Sequence, residues 1–269
     1  VELPSPPDLE RHVVQRVEDL RDVWRFINPQ MLYGKHMGMR GKIDRLMDEG
    51  DDKVLALVDL INKLQDKAED WMRVTEVWRF FEVESKGNQL HIFEPEAASP
   101  VHSFSFPRQP KDDGLCLADY VLPPVDGRRD TVGFFVVGAG DGVRERATAD
   151  RTQGEYLRSH AIQALAVETA EAAAERLHHR LRELWGFPDP AETTMKDRFR
   201  AKYRGKRYSP GYPACPDLDQ QQGIWTLLNP DEIGIHLTEG MMMDPEASVS
   251  AMVFHHPDCK YFSATGTKR

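Results

Sequence analysis

A chain of 269 residues, 40% hydrophobic and 29% charged, has ordinary soluble composition and is long enough for one large core or two smaller ones. Its net charge of −9 argues against a nucleic-acid partner, and its basic residues are scattered apart from the run KYRGKR at 202–207. No apolar run approaches the roughly 20 residues that span a bilayer, and no signal-peptide pattern opens the chain, so no membrane partner is expected. Three cysteines, Cys116, Cys215 and Cys259, odd in number and far apart, point to a reducing, cytoplasmic setting rather than a disulfide framework. Opening at Val1 and ending in GTKR, the chain is expected to be a piece of a longer polypeptide.

Residues 1–7, with LPSPP, read as a linker or arm. Asp8 is placed to cap a helix through LERHVVQRVEDLRDVWRFI, where Leu9, Val13, Val17 and Leu20 recur at helical spacing. Pro29 and Gly34 are expected to break it. Helical patterning returns over KVLALVDLINKLQDKAEDWM, with Val54, Leu57, Val58, Ile61 and Leu64 on one face. The helical region therefore covers about 8–72.

From about 73 to 269 the pattern is mixed. VWRFFEV and QLHIF flank the turn residues SKGN, a hairpin signal, and HSFSF, LADYVLP and TVGFFVV follow as short strand candidates. The glycines of VVGAGDGV, at 138, 140 and 142, sit one residue too close for G-x-G-x-x-G. The next helix is expected several residues later, so they read as a glycine-rich turn. A long helix is expected from about Glu155 to Trp185, stopped by Gly186 with Pro188 behind it. Ile162, Ala166, Ala170, Ala174, Leu177, Leu181 and Leu184 form its buried stripe, with Glu168, Glu171 and Glu175 beside it. Such an acidic row is ordinarily a solvated face. GIWTLLN begins another short helix, and SVSAMVFHHPDCKYFSATG reads as strand, turn and strand. Helices, then strands, then a long helix describe an α+β fold.

The segment RYSPGYPACPD, 207–217, places prolines at 210, 213 and 216. Proline fixes φ and pushes its predecessor toward extended geometry, so this is a stiff loop with the amides of Gly211, Tyr212, Ala214 and Cys215 uncommitted to helix or ladder. It reads either as a polyproline surface linker or as a preorganised ligand cradle with Arg207 at its mouth. An arginine fork suits a carboxylate, and a carboxylate such as Asp22 suits an ammonium. Tyr212, Tyr261 and Phe262 offer flat faces and a cation–π surface. Catalytic patterns are weaker. His255, His256 and Cys259, with distant Cys215, lack the second knuckle of a structural zinc site, so no metal is expected. Nothing near Cys215 would lower its pKa, and no serine elbow is present, so no catalytic residue is expected.

CLADYVLPP with DTVGFFVV, ETAEAAAERLHHRLRELWG, the proline loop, and GIHLTEG…SVSAMVFHHPDCKYF, in that order, carry a resemblance over nearly the whole chain. It resembles the C-terminal activation, or reactivation, domain of cobalamin-dependent methionine synthase. The resemblance implies a single concave domain over residues 8–269, with a twisted antiparallel sheet, a long central helix and an N-terminal helical region. It implies a site for S-adenosylmethionine. There Arg207 would contact the methionyl carboxylate, Asp22 the amino group, and Glu171 would form a wall. The main chain at Ser209 and Gly211 would grip adenosine, Tyr212 would face ligand and corrin, and Tyr261 and Phe262 would lie close to the ligand. Here Tyr208 and Ser209 replace the Pro-Ala that commonly follows the family's loop arginine.

The family's reaction is reductive methylation of an oxidised cobalamin held by another domain of the same polypeptide, with an electron from a flavodoxin-like or flavoprotein donor. The isolated chain would then turn over nothing alone. The alternatives are a free-standing S-adenosylmethionine binder or methyltransferase with another acceptor, and a non-catalytic interaction module.

Overall fold

Alternation with a period of two builds the central sheet. Along β2 (Thr75–Lys86), Trp78 and Phe80 face one side while Val77, Phe81 and Val83 face the other. In β5 (Asp130–Gly138) Phe135 and Val137 oppose Phe134 and Val136, and in β9 (Ser248–Phe254) Ala251 and Val253 oppose Met252 and Phe254. Both faces are covered, which is why these antiparallel strands read as nearly continuous apolar runs. The computed structural model describes residues 3–265, so Val1 and Glu2 of the expected arm lie outside the described residues, as do 266–269. Leu3 is buried, and its carbonyl accepts from Arg128.

The sheet runs β4 (His102–Ser105), β3 (Gln89–Phe93), β2, β5, β9, β6 (Lys206–Tyr208), with every pairing antiparallel. β1 (His12–Val14) takes the stretch of the β2 edge that β3 leaves open, at residues 76–78. A two-stranded ribbon, β7 (His236–Leu237) with β8 (Met243–Asp244), stands apart from it. One face is covered by α1 (Leu20–Trp24), α3 (Asp52–Ala68) and α5 (Tyr156–Leu184), with α2 (Ile43–Asp48) against α3. α4 (Val143–Thr152) packs on α5, and α6 (Met195–Phe199) is a single capped turn. α7 (Gln221–Leu228) covers the other face. Among the described residues, no helix is long and apolar enough to cross a membrane.

α5 forms where its pattern places it, with Glu155 and Trp185 at its caps. Gly186, at φ 88, turns the chain so that the Phe187 amide reaches the Arg182 carbonyl at 3.0 Å. The expected stripe is buried from Ile162 to Leu181, and Leu184 is partly so. Its alanines let the helix lie close to the sheet. The acidic row departs from expectation: Glu168 and Glu175 are buried and Glu171 is half-buried, because that side of α5 faces other elements rather than water.

Five local expectations are corrected. Of the helix expected from Asp8 only Leu20–Trp24 forms, and residues 12–14 are β1 instead, because pairing with β2 and the stack of His12 on Trp78 (3.9 Å between centroids) outweigh helical spacing. The expected break at 30–36 is itself a π-helical turn, Gln30–His36, behind Pro29. Within LADYVLP, Leu117–Tyr120 is a 3-10 turn, because Asp119 caps the Cys116 amide at 2.9 Å and Arg108 clamps Asp119. α4 follows the glycine turn at once, since Gly142 at φ 68 lets the chain enter the helix directly. No strand follows β9 among the described residues: β5 and β6 already occupy both of its edges.

Candidate functional site

β6 delivers Arg207 and Tyr208 to one end of the sheet, and the proline loop leaves from there between α5 and the C-terminal segment. A cavity of about 660 Å³ opens at this point. It brings together Glu171, Arg207, Ser209, Gly211, Tyr212, Tyr261 and Phe262 from elements far apart in sequence. Asp22 does not line it. That carboxylate accepts from Arg176 Nε at 2.6 Å, and Arg176 also reaches buried Glu76 at 3.3 Å. α1 is therefore tied to α5 by this ion pair.

The loop is stiffer than prolines alone would make it, and its amides are less available than expected. Gly211, at φ 84, reverses the chain so that its amide reaches the Cys215 carbonyl at 2.8 Å. The Cys215 amide donates to the Tyr212 carbonyl at 2.9 Å, and the Tyr212 amide to the Ser209 carbonyl at 3.3 Å. Three of the four amides thus serve the loop itself, because a turn this tight satisfies its own donors. Ser209 Oγ donates to the Ser250 carbonyl at 2.6 Å, and the Pro213 carbonyl accepts from the Ala264 amide at 2.8 Å. Loop, β9 and C-terminal segment are pinned together.

Arg207 Nη1 donates to Glu175 Oε2 at 2.6 Å. Burial opposes the arginine's charge, yet Glu175, with Tyr203 and Tyr261, raises its pKa further. Tyr203 also donates to Glu175 Oε2, at 3.3 Å. His178, one turn along α5, is fully buried, and burial together with Arg182 and Arg207 holds it well below its usual pKa and neutral. Glu171 lines the cavity with no hydrogen-bond partner among the described residues. A cation and an anion therefore face the same space.

The aromatic side has a buried platform and an exposed rim. Tyr208 lies under Tyr261 and Phe262, at 5.6 and 6.5 Å between ring centroids. Tyr212, Tyr261 and Met242 remain 61, 58 and 58% exposed, a degree of exposure that lets flat apolar groups meet a ligand or a partner surface. Such a cavity can hold a zwitterionic group at one end and a flat, cationic or aromatic one at the other.

Of the residues weighed for metal or thiol chemistry, His255, Cys215 and Cys259 are buried. His255 Nε2 is 2.6 Å from Asp130 Oδ1, both fully buried. Burial pushes the thiols of Cys215 and Cys259 up to about 12. Among the described residues, no group of three or more His, Cys, Asp or Glu could hold a metal ion.

Sequence reasoning missed Glu175 as a site residue, and also Gln221, Met242 and Ser250 in the lining. Glu175 carries a usable signal, four residues after Glu171 and so on the same side of α5. Gln221 and Ser250 carry none, since only the packing of α7 on β9 brings them there.

The sequence model of the vitamin B12 dependent methionine synthase activation domain matches residues 19–269. Methionine synthase of Mycobacterium tuberculosis (strain ATCC 25618 / H37Rv) is 31% identical over 288 residues, covering 98% of this chain. The chain spans only 23% of that relative's length. A crystal structure of the MetH reactivation domain bound to AdoHcy superposes with a TM-score of 0.89 at 29% identity, over 98% of this chain and 84% of that one.

Proposed function

The chain belongs to the family of vitamin B12 dependent methionine synthase activation domains, and we propose that its cavity binds S-adenosylmethionine for reactivation of that enzyme's cobalamin. The observation that carries this reading is that Arg207 and the proline loop share one cavity with Glu171, which has no hydrogen-bond partner among the described residues. Arg207 takes the ligand's carboxylate, Glu171 faces its cationic part, and Ser209, Gly211, Tyr212, Tyr261 and Phe262 enclose the adenosine and thioether. Asp22 acts one step away, through Arg176 and the seating of α1 on α5.

Cobalamin, held by another domain of the same polypeptide, would supply the methyl-accepting metal, with an electron from a flavodoxin-like or flavoprotein donor. In the full enzyme that cobalamin would carry methyl groups to homocysteine. This chain's residues bind and orient the methyl donor, and its exposed rim of Tyr212, Met242 and Tyr261 offers a surface on which a second domain can dock. The three cysteines are unpaired and buried, in keeping with a cytoplasmic setting.

Isothermal titration with S-adenosylmethionine tests the reading. Binding to the wild-type chain, with a ten- to hundredfold loss in Arg207→Ala, is the expected result, on the scale of one charged hydrogen bond. Equal affinity in both proteins would remove Arg207 from the site.

A further inference from the structure

Arg207 is held by one corner only. Nη1 is engaged by Glu175, whereas Nε and Nη2 have no partner among the described residues. Neither of those two atoms is among the sealed, unpartnered polar atoms of the chain, and Arg207 lines the cavity, so the Nε–Nη2 edge is open to it. That edge is the side-on fork of a guanidinium, two parallel donors matched to one carboxylate.

Glu175 is built for holding the other corner. It is 7% exposed, its ion-pair partner among the described residues is Arg207, and Tyr203 shares the same oxygen. Lys206, next in sequence to Arg207, gives its ammonium to the carbonyls of Tyr203 and Gly205 instead. The neutral imidazole of His178, with Nδ1 3.5 Å from Arg207 Nη1, adds no competing charge. A flexible arginine side chain loses its rotamer freedom to this contact before any ligand arrives, and that preorganises the open edge.

We infer that Glu175 is the positioning residue of the site: it fixes Arg207 so that the Nε–Nη2 edge, rather than a single mobile charge, is presented to the ligand's carboxylate. The inference rests on the reading of the cavity as an S-adenosylmethionine site and names what sets its selectivity for the amino-acid end of the ligand.

The test titrates AdoHcy and methylthioadenosine, which shares the adenosine and thioether but lacks the carboxylate and amine, against this chain and its variants. Glu175→Gln should weaken AdoHcy about tenfold and methylthioadenosine less than about twofold. The double variant Glu175→Gln, Arg207→Gln should bind AdoHcy no more weakly than Arg207→Gln alone, since a positioning residue has nothing left to position. Equal losses for both ligands in Glu175→Gln, or no loss of AdoHcy, would overturn the inference. Should Glu175→Gln not fold, Arg207→Lys keeps it falsifiable. Lysine pairs with Glu175 as a point charge and offers no second edge, so AdoHcy should weaken as in Arg207→Gln. Retained affinity would overturn the inference. A wild-type chain that binds neither ligand would instead remove the underlying reading, and the inference with it.

Discussion

Tyr208 and Tyr120 lie face to face, 14° from parallel with centroids 6.0 Å apart, and their hydroxyls converge on the Lys260 carbonyl at 2.9 and 3.3 Å. Tyr120 also accepts from the Lys260 amide. One tyrosine comes from the 3-10 turn after β4 and the other from β6, so two distant parts of the chain grip the segment that carries Tyr261 and Phe262. This replaces the stiffness that a proline at 208 would give. β6 fixes Tyr208 by pairing it with Met252, and the hydroxyl then fixes the cavity wall.

Because both hydroxyls serve one carbonyl, Tyr208→Phe and Tyr120→Phe should each cost about 0.5–1.5 kcal/mol, the net value of a hydrogen bond. Their effects should not add, since either hydroxyl alone still satisfies the carbonyl and only the double loss strands it, so the double variant should cost more than the two singles summed. A double-mutant cycle by urea denaturation measures this, and full additivity would exclude a shared clamp.

Asp189 accepts from Arg182 through both oxygens, at 2.7 and 2.8 Å, and from Arg198 at 3.0 Å. Burial raises its pKa, but His179, Arg182 and Arg198 together outweigh burial and hold it well below the usual carboxylate range. Arg182 is fully buried, so Asp189→Asn leaves a charge without its partner and should cost about 3–5 kcal/mol at pH 7. A depressed folded pKa means that the unfolded chain takes up the proton first. The contribution is full above about pH 4, the ordinary aspartate range, and is lost as pH falls below it. The gap in urea midpoint between wild type and Asp189→Asn should therefore be wide at pH 7 and narrower at pH 3.

Much of the fold is legible in the sequence where one rule acts alone. The α5 boundaries follow from helical spacing ended by a glycine, and the β2–β3 hairpin from alternation around Gly87. Local rules fail where two compete. Val13 fits a helical stripe, but it and Val14 are also β-branched residues beside an open strand edge, and the edge wins. Leu117 to Tyr120 alternate like a strand, yet Asp119 satisfies the backbone in a turn. The proline loop announces a site, and its arginine, tyrosine and serine are read directly from it. Spacing puts Glu175 beside Glu171 on α5, but its hold on that arginine is not legible, because an acidic row on a helix looks the same whether it faces water or a buried guanidinium. Asp22 illustrates the limit: the resemblance implies a site carboxylate there, while its ion pair with Arg176 depends on how α1 meets α5.

Gly205 sets the approach to the site, and its replacement separates backbone strain from steric contact. At φ 73 it precedes β6, and a Cβ there would stand 2.5 Å from the Phe254 carbonyl oxygen. Gly127 has a similar φ of 76 with nothing within 4 Å. Gly127→Ala should cost about 1 kcal/mol from the left-handed conformation alone. Gly205→Ala should cost clearly more, because it also forces apart the β6–β9 pair from which Arg207 projects. Equal midpoint shifts in urea would show that the contact is relieved without cost.

Glu168 makes the chain's stability depend on pH near neutrality. Its Oε1 is 2.9 Å from His36 Nε2, and His160 Nε2 bonds the His36 carbonyl at 2.7 Å. Burial, reinforced by Glu171 and opposed by Lys35, pushes Glu168 up to about 7 from an ordinary 4.5. Burial likewise, with Lys35 and His160, lowers the pKa of His36. For Glu168 the folded pKa is the higher one, so the folded state holds the proton more tightly. Its contribution is complete below about pH 4.5 and is lost as pH rises through about 7. For His36 the folded pKa is the lower one, so its contribution is complete above 6.5 and is lost as pH falls below that value. Glu168→Gln removes the first slope and leaves the second. The variant should therefore gain on wild type between pH 5 and pH 8 by about 1–3 kcal/mol, because a tenfold change in proton affinity is worth roughly 1.4 kcal/mol. Urea denaturation of both proteins at the two pH values reads this directly. A difference between variant and wild type that is the same at pH 5 and pH 8 would show that Glu168 ionises alike in the folded and unfolded chain.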